Sequence, residues 1–185
     1  MSNIWKDVDP SRVTPQKFLS VIEISKGSKM KYELDKPTGA LILDRVLYTS
    51  THYPHNYGFI PLTYAGDNDP LDVLVMCQEP IVPLTLVRCF PIGVVEMVDQ
   101  GLPDEKIISV CYDDPDLNCY TDVSDLPVHM LNEISHFFKV YKQLEGKTTT
   151  ITNILGRKDA ERIIQEALDR YQEKFGTKSK ETEKK

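Results

Sequence analysis

The sequence predicts a mainly β fold, an antiparallel barrel or sandwich, followed by two α-helices. Short apolar runs recur between residues 18 and 112, and turns rich in proline, glycine and aspartate separate them where a βαβ fold would have helices. After residue 125 the period changes, and apolar residues recur at steps of three and four, which is typical of amphipathic helices. The 185 residues suit one domain, which we expect to span residues 1–176.

The β part begins after a polar lead-in that covers residues 1–17. Alternation in the second strand places Lys31 and Glu33 on one face. An aromatic, turn-rich stretch at residues 53–59 precedes a strand that is expected to begin at Ile60. The other predicted strands cover residues 18–24, 30–34, 40–48, 71–76, 85–90, 92–97 and 107–112.

Two helical patterns follow in the last third of the chain. The first runs through Met130, Leu131, Ile134, Phe137, Phe138, Tyr141 and Leu144. Asp125 is expected to start this helix and Gly146 to end it. The second pattern runs from Ile163 to Phe175 and closes at Gly176. Residues 177–185 contain only lysine, glutamate, threonine and serine, so we expect a disordered tail.

Composition narrows the classes of function. The 28 acidic and 22 basic residues give a net charge of −6, which disfavours nucleic-acid binding through phosphate neutralisation. The chain shows no apolar run of membrane-span length and no signal-peptide pattern, so we expect a cytoplasmic protein without a membrane partner. Its four cysteines form no CxxC motif, which indicates reduced thiols and argues against a cysteine zinc site. P-loop, GxGxxG, GxSxG and HExxH motifs are also missing from the sequence.

The densest group of acidic residues lies at 67–73, directly before an apolar strand. Asp67 and Asp69 would face the same side of an extended chain, and Asp72 follows after a proline. Two such charges about 4 Å apart repel by roughly 4 kcal/mol at an effective dielectric near 20, so solvent, protons or a cation must relieve them. An acidic surface turn and a site for a hard cation both remain open here. A calcium EF-hand is excluded, because its sixth position would be Asp72 instead of glycine and its twelfth Gln78.

A second acidic group, Asp99 and Asp104, stands beside Lys106, and Glu23 and Glu33 occupy strands that also carry bases and phenols. Each of these residues alone is most simply part of a solvated strand face. Together, acids and bases that converge in one barrel favour a complex of cations with a polyanion, since the cations neutralise the acids and bridge to phosphate oxygens.

The stretch 67–73 resembles the D-x-D-P-x-D-V signature of the family I soluble inorganic pyrophosphatases, in their short prokaryotic-type form. The resemblance covers about residues 18–147 and includes, in the order of the family, residues 21–24, 31–33, 39–45, 53–58, 99–106 and 136–142. Asn68 stands where glycine is common in the family. The resemblance implies a five-stranded, OB-like closed β-barrel flanked by two helices of the C-terminal half. It also implies a homohexamer and hydrolysis of pyrophosphate to two phosphates, with several Mg²⁺ ions, or other divalent cations, at each site.

The resemblance further implies individual roles. Asp67, Asp72 and Asp104 would bind the tight metal ion, Asp72 would bridge to a second ion, and Asp99 with Asp104 would hold a third. Asp69 would take the proton from a metal-activated water that attacks phosphorus in line. The implied substrate-binding residues are Lys31, Arg45, Tyr57, Lys106, Tyr141 and Lys142. Glu23 and Glu33 would act through water on the metal ions, and Tyr53 would line the site.

Three other interpretations remain at this point. A metal-dependent hydrolase of another phosphoanhydride would share the acidic site, and activity on ATP would identify it. A non-catalytic OB-type binding module would bind single-stranded DNA at physiological salt, which the net charge opposes. A catalytically inactive relative would lack part of the polar set, whereas here the whole set is present. His52 and His55 are more simply explained by packing than by metal binding.

Overall fold

The computed structural model describes residues 3–176, and the predicted tail at 177–185 lies outside them. The strands, in chain order, are β1 (Phe18–Ile24), β2 (Met30–Leu34), β3 (Leu41–Val46), β4 (Asn56–Phe59), β5 (Asp72–Met76), β6 (Leu86–Asp99), β7 (Leu102–Cys111) and β8 (Thr149–Gly156). The helices are α1 (Val128–Val140) and α2 (Arg157–Phe175). Neither helix has the length and apolar character that a membrane span requires.

Five strands close into a ring. Their order is β1-β4-β5-β7-β6, and β6 pairs back onto β1. The strand β8 adds to the second half of β6, and β2 and β3 form a separate hairpin. The ring confirms the predicted five-stranded closed barrel with two flanking helices. One detail of the antiparallel prediction is wrong: β5 and β7 run parallel, from the pair Asp72 and Lys106 to the pair Met76 and Val110.

The strand that was expected at Ile60 lies earlier, at Asn56–Phe59. Gly58 explains the error, because a Cβ atom there would lie 1.8 Å from the carbonyl oxygen of Val21 on β1. The glycine that resembles a turn residue is therefore required for close strand pairing. The two strands predicted at 85–90 and 92–97 are one continuous strand, β6, which carries an irregularity between Pro91 and Gly93.

The helix predictions were right in type and less accurate at the ends. Asp125 closes a short 3-10 turn, Val123–Asp125, and α1 begins only at Val128, after Pro127. This helix ends at Val140, and Gly146, at φ +70°, ends a second 3-10 turn, Gln143–Glu145. The strand β8 was not predicted at all.

Alternate residues of β5 divide between two buried clusters. Val73 and Val75 pack in the cluster that α2 covers with Ile164 and Ala167. Leu74 and Met76 pack in the other cluster, where α1 contributes Ile134, Phe137 and Phe138. Because both faces of β5 are buried, the strand has almost no freedom to shift its register, and Asp72 at its first position is held in place.

Candidate active site

A cavity of about 430 Å³ opens where β5 and β7 begin. Side chains of both charges line it, and they come from the β2–β3 hairpin, the 67–70 turn, the ring strands and the end of α1. Of the site residues predicted from the sequence, the structure places the following on its wall: Glu23, Lys31, Glu33, Tyr53, Tyr57, Asp67, Asp69, Asp72, Asp99, Asp104, Lys106, Tyr141 and Lys142. Arg45 is the exception. Three further polar residues line the cavity and had not been predicted as site residues: Tyr32, Asp35 and Lys36.

The parallel pairing of β5 and β7 places oppositely charged side chains next to each other in the cavity lining. Asp72 and Lys106 are register partners, and the Lys106 ammonium forms ion pairs with Asp72 and, at 2.6 Å, with Asp104. Burial alone would lower the pKa of Lys106, but the charges of Asp72 and Asp104 outweigh it and raise the pKa well above its usual value. Lys106 therefore stays charged and partly neutralises the carboxylates around it.

The acidic stretch forms a tight turn and is not extended. Asn68 has a φ of +72°, and the backbone N–H of Asp69 donates to Oδ1 of Asp67 over 3.1 Å. The Tyr64 hydroxyl group donates a hydrogen bond to Oδ1 of Asn68 and anchors the turn. Both aspartates nevertheless reach the cavity. Burial, followed by the charge of Asp72, raises the pKa of Asp67.

Lys36, which had not been predicted as a site residue, forms an ion pair with Asp69. The amide group of Asn3 donates to the carbonyl oxygen of Lys36 over 2.6 Å, so the N-terminal segment holds this turn over the cavity. Since a lysine in a hairpin turn is normally solvated, no local pattern distinguishes Lys36. Its role depends on the way the hairpin folds back over the 67–70 turn.

Opposite this turn, Asp99 at the end of β6 forms an ion pair with Lys142. Lys142 and Tyr141 directly follow α1, so the packing of that helix fixes where their polar groups point. The second carboxylate oxygen of Asp99, Oδ1, is buried and has no hydrogen-bond partner within residues 3–176. A buried oxygen of this kind is a ready ligand for a cation.

Glu23 lies deeper in the cavity wall. Its carboxylate accepts a hydrogen bond from the backbone N–H of Leu34 over 2.8 Å. Burial and then the charge of Asp72 raise the pKa of Glu23 to about 8. The rings of Tyr53 and Tyr57 pack 5.2 Å apart beside it, and burial raises the pKa of both phenols, which stay protonated and can donate hydrogen bonds.

Arg45 is held outside the cavity wall. Its Nε donates to Glu145 over 2.8 Å, and its Nη1 bonds Asp44. Nη2 is buried and has no partner in the described part of the chain, so one donor remains available. Neither Asp44 nor Glu145 had been predicted to contact this arginine.

No three histidine, cysteine, aspartate or glutamate side chains in residues 3–176 are grouped closely enough to hold one metal ion. The carboxylates are paired with lysines, as in the contacts of Lys106 with Asp72 and Asp104. The donor set still fits hard cations, because eight carboxylates and four lysines line the cavity and Oδ1 of Asp99 is buried without a partner within residues 3–176.

Known proteins are similar to this chain in sequence and in fold. The family model described as inorganic pyrophosphatase matches residues 20–172. Soluble inorganic pyrophosphatase 2 of Chlamydomonas reinhardtii is 49% identical over 174 residues, which cover 94% of this chain and 91% of the relative. Soluble inorganic pyrophosphatase 1 of Arabidopsis thaliana is 50% identical over 169 residues, or 91% of this chain and 80% of the relative.

Comparison with solved structures points to the same family. The crystal structure of inorganic pyrophosphatase from Thermus thermophilus superposes with a TM-score of 0.88 at 37% identity, over 92% of this chain and 99% of that one. The family match spans most of the chain and includes the residues that line the cavity from Glu23 to Lys142. This chain therefore belongs to the inorganic pyrophosphatase family.

Proposed function

We propose that this protein hydrolyses pyrophosphate to two orthophosphates at the cavity where β5 and β7 begin. One observation carries the proposal: acidic and basic side chains converge on the same wall, and the D-x-D-P-x-D-V turn supplies three of the carboxylates. Bases alone would suit a free anion, and acids alone a bare cation. Both together suit a polyanion that arrives with its cations.

Divalent cations, with Mg²⁺ as the first choice, complete the site in this proposal. Asp67, Asp72 and Asp104 would hold the tightest ion, and Asp99 with Asp104 a further one that enters with substrate. When bound, such ions lower the pKa of water and neutralise charge on phosphate oxygens. Lys106 must release Asp72 and Asp104 as cations bind, and its ammonium is then free to contact phosphate.

The remaining residues position the reactants. Asp69 accepts the proton of the attacking water, and Lys36 holds this carboxylate toward the cavity until substrate competes for the lysine. Lys31, Lys142 and the phenols of Tyr57 and Tyr141 bind phosphoryl oxygens. Phosphoryl transfer depends mainly on such positioning and on charge neutralisation.

Arg45 also belongs to the proposed phosphate-binding set. Asp44 and Glu145 hold its guanidinium, and its Nη2, which has no partner within residues 3–176, is the donor from which a phosphate oxygen would accept. Glu23, Glu33 and Tyr53 support the site without a direct contact to phosphorus in this scheme.

We also propose the homohexamer and the cytoplasmic location that the family resemblance implies. The β3 strand exposes Ile42, Leu43 and Val46, which suits an interface between copies of the chain. Four free cysteines suit a reducing compartment.

Release of phosphate from pyrophosphate tests the function directly. The full chain with Mg²⁺ should release two phosphates per pyrophosphate, and EDTA should abolish the reaction. ATP at the same concentration serves as the second substrate, because preferential release from ATP would favour the hydrolase of another phosphoanhydride. Absence of release from both substrates, with Mg²⁺ present and the fold intact by circular dichroism, would refute the proposal.

A further inference from the structure

Three cysteines form a row across adjacent strands at the end of the barrel away from the active-site cavity. Cys77 directly follows β5, whose last residue, Met76, pairs with Val110 of β7. Cys111 is the next residue of β7, and it is also the register partner of Cys89 on β6. The three thiols therefore stand in the order 77, 111, 89, and all three pack in or against the same buried cluster.

The backbone brings these thiols within disulfide range. Neighbouring strands lie about 4.8 Å apart, and disulfides form between Cα atoms separated by about 4.4–6.8 Å. Cys77 and Cys111 both pack in or against the same buried cluster and line the same cavity, so their thiols lie on the same face. Cys77 lies one residue beyond β5, outside the strand pairing, which leaves its backbone room to adjust.

The three thiols differ in how accessible they are to a small reagent. Cys77 and Cys111 both line a second cavity of about 240 Å³, together with Gln78, Glu79, Asp113, Asp114 and Pro115. Cys89 is fully buried, its Sγ lies 3.3 Å from the Ser20 hydroxyl, and burial raises its pKa to about 12. A small reagent in this cavity meets Cys77 and Cys111 and does not reach Cys89.

We propose that Cys77 and Cys111 form a reversible disulfide by exchange with a low-molecular-weight disulfide. The Cys77 thiolate attacks one sulfur of the reagent, forms a mixed disulfide and releases one thiolate. The Cys111 thiolate then attacks Sγ of Cys77 and releases the second thiolate. Two cysteine thiols are oxidised, the reagent is reduced to two thiols, and the two cysteine protons pass to the released thiolates.

The disulfide would tie β5 to β7 at their far ends. Asp72, at the other end of β5, is five residues from Cys77, or about 16 Å along the strand. The oxidised protein therefore keeps its geometry at the active-site cavity. It resists unfolding more strongly, because the cross-link restricts the unfolded chain. Oxidation would thus protect the fold without stopping the enzyme.

The experiment treats the full chain with glutathione disulfide at about pH 8.5, because burial raises the pKa of the Cys77 thiol. After free thiols are alkylated, peptide mass mapping should identify a Cys77–Cys111 disulfide that dithiothreitol removes. The midpoint of thermal unfolding should rise by about 5 °C or more. Cys77→Ser and Cys111→Ser should abolish both effects, whereas Cys119→Ser, at an exposed cysteine outside the row, should keep them.

Three results would overturn the proposal. They are a mixed disulfide on Cys77 that persists without internal exchange, an internal disulfide that contains Cys89, and an unchanged set of free thiols at Cys77 and Cys111. The wild-type mass map decides among them even if a variant folds poorly. None of these readouts depends on pyrophosphate hydrolysis, so they also stand apart from the proposed function.

Discussion

The two ends of the parallel pair β5–β7 carry opposite chemistry on one framework. At the cavity end, Asp72 pairs with Lys106, and seven more aspartate and glutamate side chains line the same cavity: Glu23, Glu33, Asp35, Asp67, Asp69, Asp99 and Asp104. At the thiol end, Cys77 and Cys111 stand beside the 78–81 and 113–117 loops. The two ends differ in how far the protein itself satisfies the polar groups there.

Two buried carboxyl groups show this difference directly. Asp114, at the thiol end, accepts hydrogen bonds from both nitrogens of Gln78, at 2.8 and 2.9 Å, and from the backbone N–H groups of Asp116 and Leu117. Burial opposes its charge, but these bonds outweigh burial and lower its pKa to about 2. Glu23, at the cavity end, accepts one hydrogen bond from residues 3–176, and its pKa rises to about 8.

The comparison separates structural from functional carboxylates. Where the protein uses all the acceptor capacity of a carboxylate, the group stabilises a loop and has nothing left for a ligand. Where capacity remains and like charges crowd together, the fold is less stable than it would be with neutral groups, and a cation or substrate supplies the missing partners. Changes at the two ends should therefore affect different measurements.

The largest expected effect is on turnover at the cavity end. Asp69→Asn keeps the size of the side chain and removes the proton acceptor, so kcat should fall by about 10²- to 10⁴-fold. The measurement is the rate of phosphate release at saturating Mg²⁺ and pyrophosphate. Asp113→Asn is the control, since Asp113 lies at the thiol end, and it should keep wild-type turnover. A turnover of Asp69→Asn within threefold of wild type would show that another group takes the proton.

The second effect is on stability at the thiol end. Asp114→Ala leaves the N–H donors of Gln78, Asp116 and Leu117 without their acceptor, and should lower the free energy of unfolding by about 2–3 kcal/mol. Urea unfolding at neutral pH without divalent cations measures this loss of stability.

The matched variant at the cavity end is Asp67→Asn. Because the pKa of Asp67 is raised, its charge destabilises the fold at neutral pH, and this variant should be at least as stable as wild type.

If Asp67→Asn instead loses as much stability as Asp114→Ala, the distinction between the two ends fails. Retained activity in Asp114→Ala, measured below its unfolding midpoint, would support the distinction. Its phosphate release should stay within about threefold of wild type, since Asp114 lies at the other end of the strands.

The sequence predicted most of this framework, and the errors have physical causes. The bounds of β1 and β2 follow from alternation and apolar runs, and the structure has them as predicted. The threonine-rich β8 has a weak apolar pattern and forms by pairing with the second half of β6. The closure of the ring depends on the pairing of β1 with β6. These two strands lie far apart in the chain, so no local sequence pattern predicts their contact.

The candidate site likewise contains residues that the sequence identified and contacts that it did not. The acidic turn is contiguous in sequence, so its spacing alone identified it. Lys36 reaches Asp69 only because a hairpin folds over that turn, and Glu145 reaches Arg45 from a residue 100 positions away. Such pairings depend on tertiary structure, and single-sequence patterns do not contain them.

The last prediction tests a poorly satisfied group near the thiol end. His55 precedes Asn56, the partner of Val75, and it is buried with Nδ1 unpartnered within residues 3–176. Burial and then the charge of Lys26 lower its pKa to about 4, against about 6.5 in the unfolded chain. Between these values the unfolded chain binds a proton that the folded chain does not, so stability falls as the pH falls, by up to about 3 kcal/mol.

His55→Phe removes this titration, so its free energy of unfolding should fall less steeply than that of wild type between pH 6.5 and pH 4. Urea unfolding across this range measures the difference of slopes, and His52→Phe, at an exposed histidine, is the control. Other groups that titrate below pH 5 are common to all three proteins and cancel in the comparison. Parallel slopes for wild type and His55→Phe would mean that His55 takes up its proton in the folded state, and that this end of the barrel tolerates a buried charge as the cavity end does.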